Sequence, residues 1–159
     1  MALAAGEVVV LAVEVPGGAG DMKEVKPLIT VLGPTASGKT ALAVQLAYRL
    51  NGEIISADSR QVYRQMDIGT GKDLSEYTVN GRSIPYHLID IREPGDKYTL
   101  FDYQHDFHRA YQEILARGKQ PILCGGTGLY IESVLKGYDL PDVPPNPELR
   151  AALEERWLD

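Results

Sequence analysis

A glycine-rich turn follows a short apolar run in the first third of the chain. The run Leu28–Leu32 predicts a buried strand, and residues 41–50 predict a helix that ends at Asn51-Gly52. The pattern G-x-x-x-x-G-K-[ST] between them is matched by Gly33, Pro34, Thr35, Ala36, Ser37, Gly38, Lys39 and Thr40. In this strand–turn–helix context the pattern predicts a P-loop, whose backbone N–H groups surround a phosphate at a helix N-terminus. Lys39 would contact the outer phosphates of a diphosphate or nucleotide, and Thr40 would ligate Mg²⁺.

Strand-like and helix-like segments alternate through the rest of the chain. Short apolar runs at residues 53–57, 86–91 and 120–124 predict further strands. Helical patterns cover residues 100–114, which follow a capping box formed by Thr99 and Asp102, and residues 129–135. Strands that alternate with helices form parallel sheets with right-handed crossovers. The sequence therefore predicts an α/β fold of the P-loop NTPase type, with a parallel sheet flanked by helices.

Polar residues follow several of these strands, at the positions where ligands bind in open α/β sheets. The carboxylate of Asp58 would either accept a proton or hydrogen bond from a substrate, or cap the next helix. A second glycine turn, at residues 125–128, lies at a helix start, where Thr127 offers a hydroxyl to an anion. His87-Leu88-Ile89-Asp90 allows two interpretations, an acidic strand end that holds Mg²⁺ or a strand end with a capping acid.

The composition excludes several other classes of protein. The single cysteine, Cys124, permits neither an internal disulfide nor a zinc site built from Cys and His. A net charge of −6 and a pI near 5.1 argue against general polyanion coating, although they allow a local basic face for nucleic acid. No apolar run approaches the ~20 residues of a membrane helix, and no secretory signal is recognisable. We therefore expect a cytoplasmic protein without membrane association.

The two ends of the chain differ from the middle. Residues 1–24 are predicted to be a disordered extension, with a stray strand at the apolar run 8–13 as the alternative, and residues 25–140 form the core. Prolines crowd residues 141–147 and indicate a rigid linker before a helix that starts at Asn146-Pro147-Glu148. Leu149, Leu153 and Trp157 give this helix an apolar stripe that needs a partner. We expect residues 141–159 to open a helical insertion in a longer natural protein.

Together these stretches resemble the tRNA dimethylallyltransferase family, whose members are also called tRNA isopentenyltransferases. The resemblance rests on residues 33–40, 54–64, 66–70, 87–90 and 121–130, which lie in the family's order. It covers roughly residues 26–140 of the chain. The P-loop is shared by many enzymes, whereas the stretches that contain Asp58 and Thr127 are far more specific to this family.

The resemblance implies a reaction and a set of site residues. In this family the N6 amine of an adenosine next to a tRNA anticodon attacks carbon 1 of dimethylallyl diphosphate, and diphosphate leaves. Lys39, Thr127 and Thr40 with its Mg²⁺ match the groups that hold the diphosphate. Asp58 matches the general base, so Asp58, Lys39 and Thr127 are the implied catalytic residues. Ser59, Arg60 and Gln61, together with Asp58, match the segment that contacts tRNA.

Three alternatives remain open at the level of sequence. An adenylate isopentenyltransferase would use a free adenine nucleotide as acceptor, and a small-molecule kinase would transfer a phosphoryl group from ATP. A non-catalytic phosphate-binding remnant is the third, because members of the resembled family are much longer than this chain. Their second half supplies a further arginine that binds the diphosphate and many of the contacts that bind tRNA. We therefore expect a truncated form that binds phosphates without prenylating tRNA at a useful rate.

Overall fold

The fold is built on a five-stranded sheet in a computed structural model that describes residues 7–15, 26–34, 36–66, 72–140 and 146–157. In chain order the elements are β1 (Val9–Val13), β2 (Leu28–Leu32), α1 (Lys39–Leu50), β3 (Gly52–Ala57), a 3-10 turn (Leu74–Tyr77), β4 (Thr78–Val79), β5 (Arg82–Ser83), β6 (Tyr86–His87), α2 (Leu100–Ala116), β7 (Gln120–Gly125), α3 (Gly128–Leu135) and α4 (Pro147–Trp157). Strands β4 and β5 form a separate hairpin.

The order of the strands in the main sheet is β1-β2-β7-β3-β6. Strands β2, β7, β3 and β6 are parallel, as expected for an α/β fold, and β7 lies in the middle between β2 and β3. The predicted third strand at 86–91 is too long, because only Tyr86–His87 pairs as a strand. Leu88 and Asp90 adopt positive φ angles of 65° and 56°, which lie outside the β region and end the strand.

The prediction of a disordered extension is wrong for Val9–Val13. This segment pairs antiparallel with β2 over its full length, from Val9 opposite Leu32 to Val13 opposite Leu28. The physical reason is that the outer edge of β2 presents backbone hydrogen-bonding groups to an apolar segment of high β-propensity. A strand is the alternative that the apolar run at residues 8–13 allows, and the structure confirms it. The rest of the extension, at residues 1–6 and 16–24, lies outside the described residues.

Helices cover both faces of the sheet. Ala43, Val44 and Ala47 of α1 pack against Val31 and other residues that point to one face, including Ile54 and Ile122. On the opposite face α2 and α3 bury Phe107, Ile114 and Val134 against Ile55 and Leu123. Neighbouring strand residues thus point to opposite faces, and both faces of the central strands are buried. This packing fixes the strands whose ends carry the candidate site.

The predicted helix signals are confirmed at α2 and α4. The Thr99 hydroxyl accepts from the Asp102 N–H, and the Asp102 carboxylate accepts from the Thr99 N–H, which forms a complete capping box. At the start of α4 the Asn146 side chain accepts from the Leu149 N–H at 3.0 Å. Leu149 and Leu153 are exposed. The predicted linker at 141–145 and the Trp157 side chain lie outside the described residues. Among the helices of the described ranges, none is both long and apolar enough to cross a bilayer.

Candidate active site

Three segments that follow neighbouring parallel strands meet at one edge of the sheet. The P-loop follows β2, the turn at Gly126-Thr127 follows β7, and Asp58 follows β3. Because β7 lies between β2 and β3, its turn separates the P-loop from Asp58 and contacts both. The structure therefore brings Asp58, Thr127 and the P-loop together, as the parallel topology predicts. Their chemical roles remain predictions.

The P-loop has a backbone shape suited to an anion. Ala36 and Gly38 have positive φ angles of 61° and 84°, whereas Ser37 between them does not, an alternation typical of anion-binding nests. The Lys39 ammonium donates to the Pro34 carbonyl at 3.1 Å, so it lies against the loop. The Ser37 hydroxyl donates to the same carbonyl at 2.6 Å. Thr35 lies outside the described residues.

The end of β7 and the turn that follows it must be built from glycine because other backbone segments approach them closely. A Cβ on Gly125 would lie 2.3 Å from the Ala57 carbonyl oxygen. A Cβ on Gly126 would lie 2.9 Å from the Gly33 carbonyl oxygen and 4.0 Å from Cε of Lys39. The two glycines therefore let the turn touch β3 on one side and the P-loop on the other. The sequence signals a glycine turn here, but it does not identify these neighbours.

The two carboxylate oxygens of Asp58 have different surroundings. Oδ1 accepts hydrogen bonds from the backbone N–H groups of Arg60 at 2.9 Å and Gln61 at 3.2 Å. Within the part of the chain that the structure describes, Oδ2 accepts no hydrogen bond. Asp58 is only 8% exposed. The alternative interpretation of Asp58 as a helix cap is wrong, because residues 59–66 form turns and not a helix. Oδ1 stabilises this turn, which leaves Oδ2 to accept a proton or hydrogen bond from a substrate.

Thr127 is engaged on the Asp58 side of the site. Its hydroxyl oxygen accepts from the Ser59 backbone N–H at 3.0 Å, and its own N–H donates to the Ala57 carbonyl at 3.0 Å. The hydroxyl also lies 3.4 Å from the Ser59 hydroxyl. Gln61 accepts from the Ser56 hydroxyl at 3.4 Å, whereas Arg60 is exposed at the rim. Arg60 is therefore the one of these side chains that lies most open to an approaching polyanion.

Cys124 lies beneath Lys39 and Thr40. Burial raises the pKa of the Cys124 thiol to about 11, although the Lys39 charge and a hydrogen bond with the Thr40 side chain oppose the increase. The thiol is therefore neutral at physiological pH and unsuited to nucleophilic chemistry. The thiol thus lies close to the Thr40 side chain, on the first turn of α1.

The protein offers Mg²⁺ few ligands of its own at this edge. Within the described ranges no group of three or more His, Cys, Asp or Glu side chains is placed to hold a metal ion. Mg²⁺ commonly keeps several waters and binds through one or two protein oxygens together with substrate phosphates. The partly exposed Thr40 hydroxyl fits that role. Asp90 is not free for it, because its carboxylate forms an ion pair with Lys72.

The parallel sheet and the loop at its carboxyl edge define a P-loop α/β protein. A family model described as IPP transferase matches residues 61–159, and one described as Isopentenyl transferase matches residues 26–85. The chain belongs to the IPP transferase family.

Named relatives and solved structures agree with this assignment. The chain is 73% identical over 131 residues to tRNA dimethylallyltransferase 1 of Porphyromonas gingivalis, covering 82% of this chain and 43% of that protein. It is 69% identical over 132 residues to tRNA dimethylallyltransferase 1 of Parabacteroides distasonis, covering 83% of this chain and 43% of that protein.

Among solved structures, the full-length tRNA isopentenylpyrophosphate transferase of Bacillus halodurans superposes with a TM-score of 0.67 at 45% identity. The match covers 80% of this chain and 41% of that one. A eukaryotic dimethylallyltransferase acting on tRNA gives a TM-score of 0.63 at 30% identity, covering 77% of this chain and 31% of that one. The chain thus spans about two-fifths of the length of the bacterial relatives that it matches.

Proposed function

We propose that this chain forms the diphosphate-binding and base-bearing part of a tRNA dimethylallyltransferase. The reaction transfers the dimethylallyl group of dimethylallyl diphosphate to the N6 amine of an adenosine next to the anticodon. The observation that carries the proposal is the arrangement at the sheet edge, where the P-loop and Asp58 flank the turn that holds Thr127. An anion cradle and a carboxylate on either side of one turn suit a reaction between a diphosphate ester and an amine.

The P-loop side of the site binds the leaving group. As the bond between carbon 1 and the diphosphate oxygen breaks, negative charge accumulates on the diphosphate. The Lys39 ammonium and the N-terminus of α1 are fixed near that charge and stabilise it without reorganising. When bound beside Thr40, Mg²⁺ supplies further positive charge to the diphosphate oxygens. The Thr127 hydroxyl is a further group assigned to the diphosphate.

The Asp58 side of the site activates the amine. The lone pair of the adenine N6 amine is delocalised into the ring, which makes the amine a poor nucleophile. As the new bond from N6 to carbon 1 forms, Oδ2 of Asp58 takes the N6 proton, and the diphosphate departs with the bonding electrons. General base catalysis of this kind contributes about 10²–10⁴-fold to the rate. Oδ1 keeps its two backbone hydrogen bonds throughout.

The acceptor is a base within tRNA, which must leave its stack to reach a buried carboxylate. Ser59, Arg60 and Gln61 follow Asp58 directly and form the nearest contacts for the flipped nucleotide. Arg60 is exposed and offers a positive charge to the phosphate backbone. We assign the remaining tRNA contacts to the parts of the relatives that lie outside their match to this chain. The enzyme is expected to work in the cytoplasm, where tRNA is its substrate.

A chimera tests the proposal directly. Residues of this chain replace the matching segment of the Porphyromonas gingivalis relative, and transfer of labelled dimethylallyl to tRNA is measured with Mg²⁺ present. We expect an active enzyme whose kcat falls about 10²–10⁴-fold in Asp58→Asn. Asp139→Asn, which changes an exposed carboxylate, is the matched control and should leave the rate unchanged.

Three outcomes would contradict the proposal. Transfer to free AMP instead of tRNA would favour an adenylate isopentenyltransferase. A phosphorylated acceptor formed at the expense of ATP would indicate a kinase. An inactive chimera that still binds diphosphate would favour a phosphate-binding remnant.

A further inference from the structure

The segment that follows Asp58 runs beside the segment that follows β6. The Asp90 N–H donates to the Gln61 carbonyl at 3.0 Å, and the Asp90 carbonyl accepts from Nε of Arg64 at 3.0 Å. The Ile91 N–H donates to the Val62 carbonyl at 2.9 Å. These contacts hold residues 61–64 from one side. Neither the P-loop nor Thr127 takes part in them.

Lys72 connects the same two segments through its side chain. Its ammonium donates to the Tyr63 carbonyl at 2.9 Å and forms an ion pair with the Asp90 carboxylate. The Lys72 side chain is 2% exposed, and that of Asp90 is 33% exposed. A buried ammonium is costly unless it is paired, so the position of the Lys72 ammonium depends on its partners, Tyr63 and Asp90 among them. Lys72 is also far in sequence from Asp90, which makes this a link between separate parts of the chain.

The linked segment leads directly to the Asp58 carboxylate. The carbonyl of Gln61 is held by Asp90, while the N–H of the same residue donates to Oδ1 of Asp58 at 3.2 Å. Val62, the next residue, is fully buried and cannot shift without disturbing the core. Any movement of residues 61–63 is therefore passed to the hydrogen bonds that orient Asp58.

We propose that Lys72 and Asp90 are positioning residues that fix the direction in which Oδ2 of Asp58 points. The proposal rests on the function of Asp58 as base given above. A carboxylate that must take a proton from one amine needs a fixed orientation, because small displacements of a catalytic group lower the rate steeply. The ion pair supplies that orientation from outside the site, without touching the substrate.

Amide hydrogen exchange of the 159-residue chain tests this link without requiring prenyl transfer. In Lys72→Met we expect the amides of Arg60 and Gln61 to exchange at least about tenfold faster, because their acceptor loses its fixed position. The amides of Ile54 and Ile122, in the core strands, should keep their exchange rates. Lys119→Met is the matched control, since Lys119 is a lysine whose ammonium binds Asn51, away from these segments. Asp90→Asn serves as a second variant if Lys72→Met does not fold, and we expect the same local acceleration.

Two exchange results would overturn the proposal. Unchanged Arg60 and Gln61 amides in a folded variant would show that the ion pair does not hold Asp58. Equal acceleration at Ile54 and Ile122 would show a general loss of stability instead.

The chimera adds a kinetic readout. Lys72→Met should lower kcat while the KM for dimethylallyl diphosphate stays unchanged, and an increase in that KM with constant kcat would contradict a positioning role. If the unmodified chimera is inactive, the proposed reaction fails, whereas the exchange experiment still decides whether the ion pair orients Asp58.

Discussion

The hydroxyl oxygen of Thr127 accepts a hydrogen bond from the backbone N–H of Ser59 at 3.0 Å. A second bond joins the same turns, from the Thr127 N–H to the Ala57 carbonyl at 3.0 Å. The residue assigned to the diphosphate is thus also the link between the end of β7 and the end of β3. Diphosphate binding and proton acceptance by Asp58 therefore both depend on the turn that carries Thr127.

Removing the Thr127 hydroxyl should loosen the Asp58 side of the site. In Thr127→Val the Ser59 N–H loses its acceptor, and we expect a loss of about 1 kcal/mol in the free energy of unfolding. Thr127→Ser keeps the hydroxyl and should lose much less. Urea unfolding and exchange of the Ser59 amide measure the two effects. Equal Ser59 exchange in the valine and serine variants would contradict the link.

The glycines at the end of β7 and just after it should differ sharply in their tolerance of a methyl group. Gly125→Ala places a Cβ 2.3 Å from the backbone oxygen of Ala57, and we expect a loss of about 1–3 kcal/mol of stability. Gly126→Ala pushes against the Gly33 carbonyl at 2.9 Å and should weaken diphosphate binding. Gly128→Ala is the matched control, because nothing lies within 4 Å of its Cβ position. Urea unfolding curves that coincide for Gly125→Ala and Gly128→Ala would show that the strands can separate to make room.

An ion pair at the opposite edge of the sheet should make stability depend on pH. Glu53 is 4% exposed, and two nitrogens of Arg117 donate to its carboxylate, each at 2.8 Å. Burial raises the pKa of Glu53, but hydrogen bonds from Arg117 and His87 outweigh it, so the pKa lies below its ordinary value. A lowered pKa in the folded state stabilises the fold above the unfolded pKa, and this stabilisation is lost as the pH falls into the acid range.

Arg117→Met should therefore destabilise the chain by about 1–3 kcal/mol near neutral pH. The difference in unfolding free energy from the unmodified chain should shrink as the pH falls through the lowered pKa of Glu53, where its carboxyl becomes protonated in both chains. Arg109→Met is the control. Arg109 is an exposed arginine, and its guanidinium nitrogen lies 3.7 Å from the Asp106 carboxylate, away from Glu53. Urea unfolding at several pH values measures both variants. If Arg117→Met lowers the free energy of unfolding by the same amount at every pH, Arg117 acts by packing alone.

The Cys124 thiol should resist alkylation while the chain is folded. Because burial raises its pKa to about 11, only a small fraction is thiolate near neutral pH. We expect iodoacetamide to label Cys124 at least about 100-fold faster in urea than in buffer. A raised pKa also means that this group's contribution to stability is lost as the pH rises from about 8.5 towards the folded value. Cys124→Ala should remove the part of the stability loss at alkaline pH that comes from the thiol. Rapid labelling of Cys124 in the folded chain would contradict its burial.

Much of this architecture follows from local sequence signals. Apolar runs bounded by proline or glycine identify β2, β3 and β7, and the capping signals at Thr99 and Asn146 identify the starts of α2 and α4. The hairpin of β4 and β5 is missed, although Asn80-Gly81 between Val79 and Arg82 is a strong turn signal. Two-residue strands have too little pattern of their own to stand out.

What the sequence could not supply are contacts between distant segments. The apolar run of β1 gives no indication that it pairs with β2, because strand pairing depends on which edge is open. The resemblance places Asp58 and Thr127 in one site, but it does not reveal that Oδ1 of Asp58 is already occupied by backbone. The partnership of Lys72 with Asp90 spans 18 residues and carries no motif of its own. These features depend on tertiary packing, which propensity and periodicity do not encode.

Binding of inorganic pyrophosphate with Mg²⁺, measured by calorimetry on the 159-residue chain, tests most directly whether the P-loop and its lysine form a diphosphate cradle. We expect binding that weakens at least about tenfold in Lys39→Ala, because one charge-assisted contact contributes about 1.5–3 kcal/mol. Lys119→Ala, which alters a lysine at the opposite edge, should bind as tightly as the unmodified chain, and so should Asp58→Asn. Equal binding by the Lys39→Ala and Lys119→Ala variants, or no binding by the unmodified chain, would contradict the account.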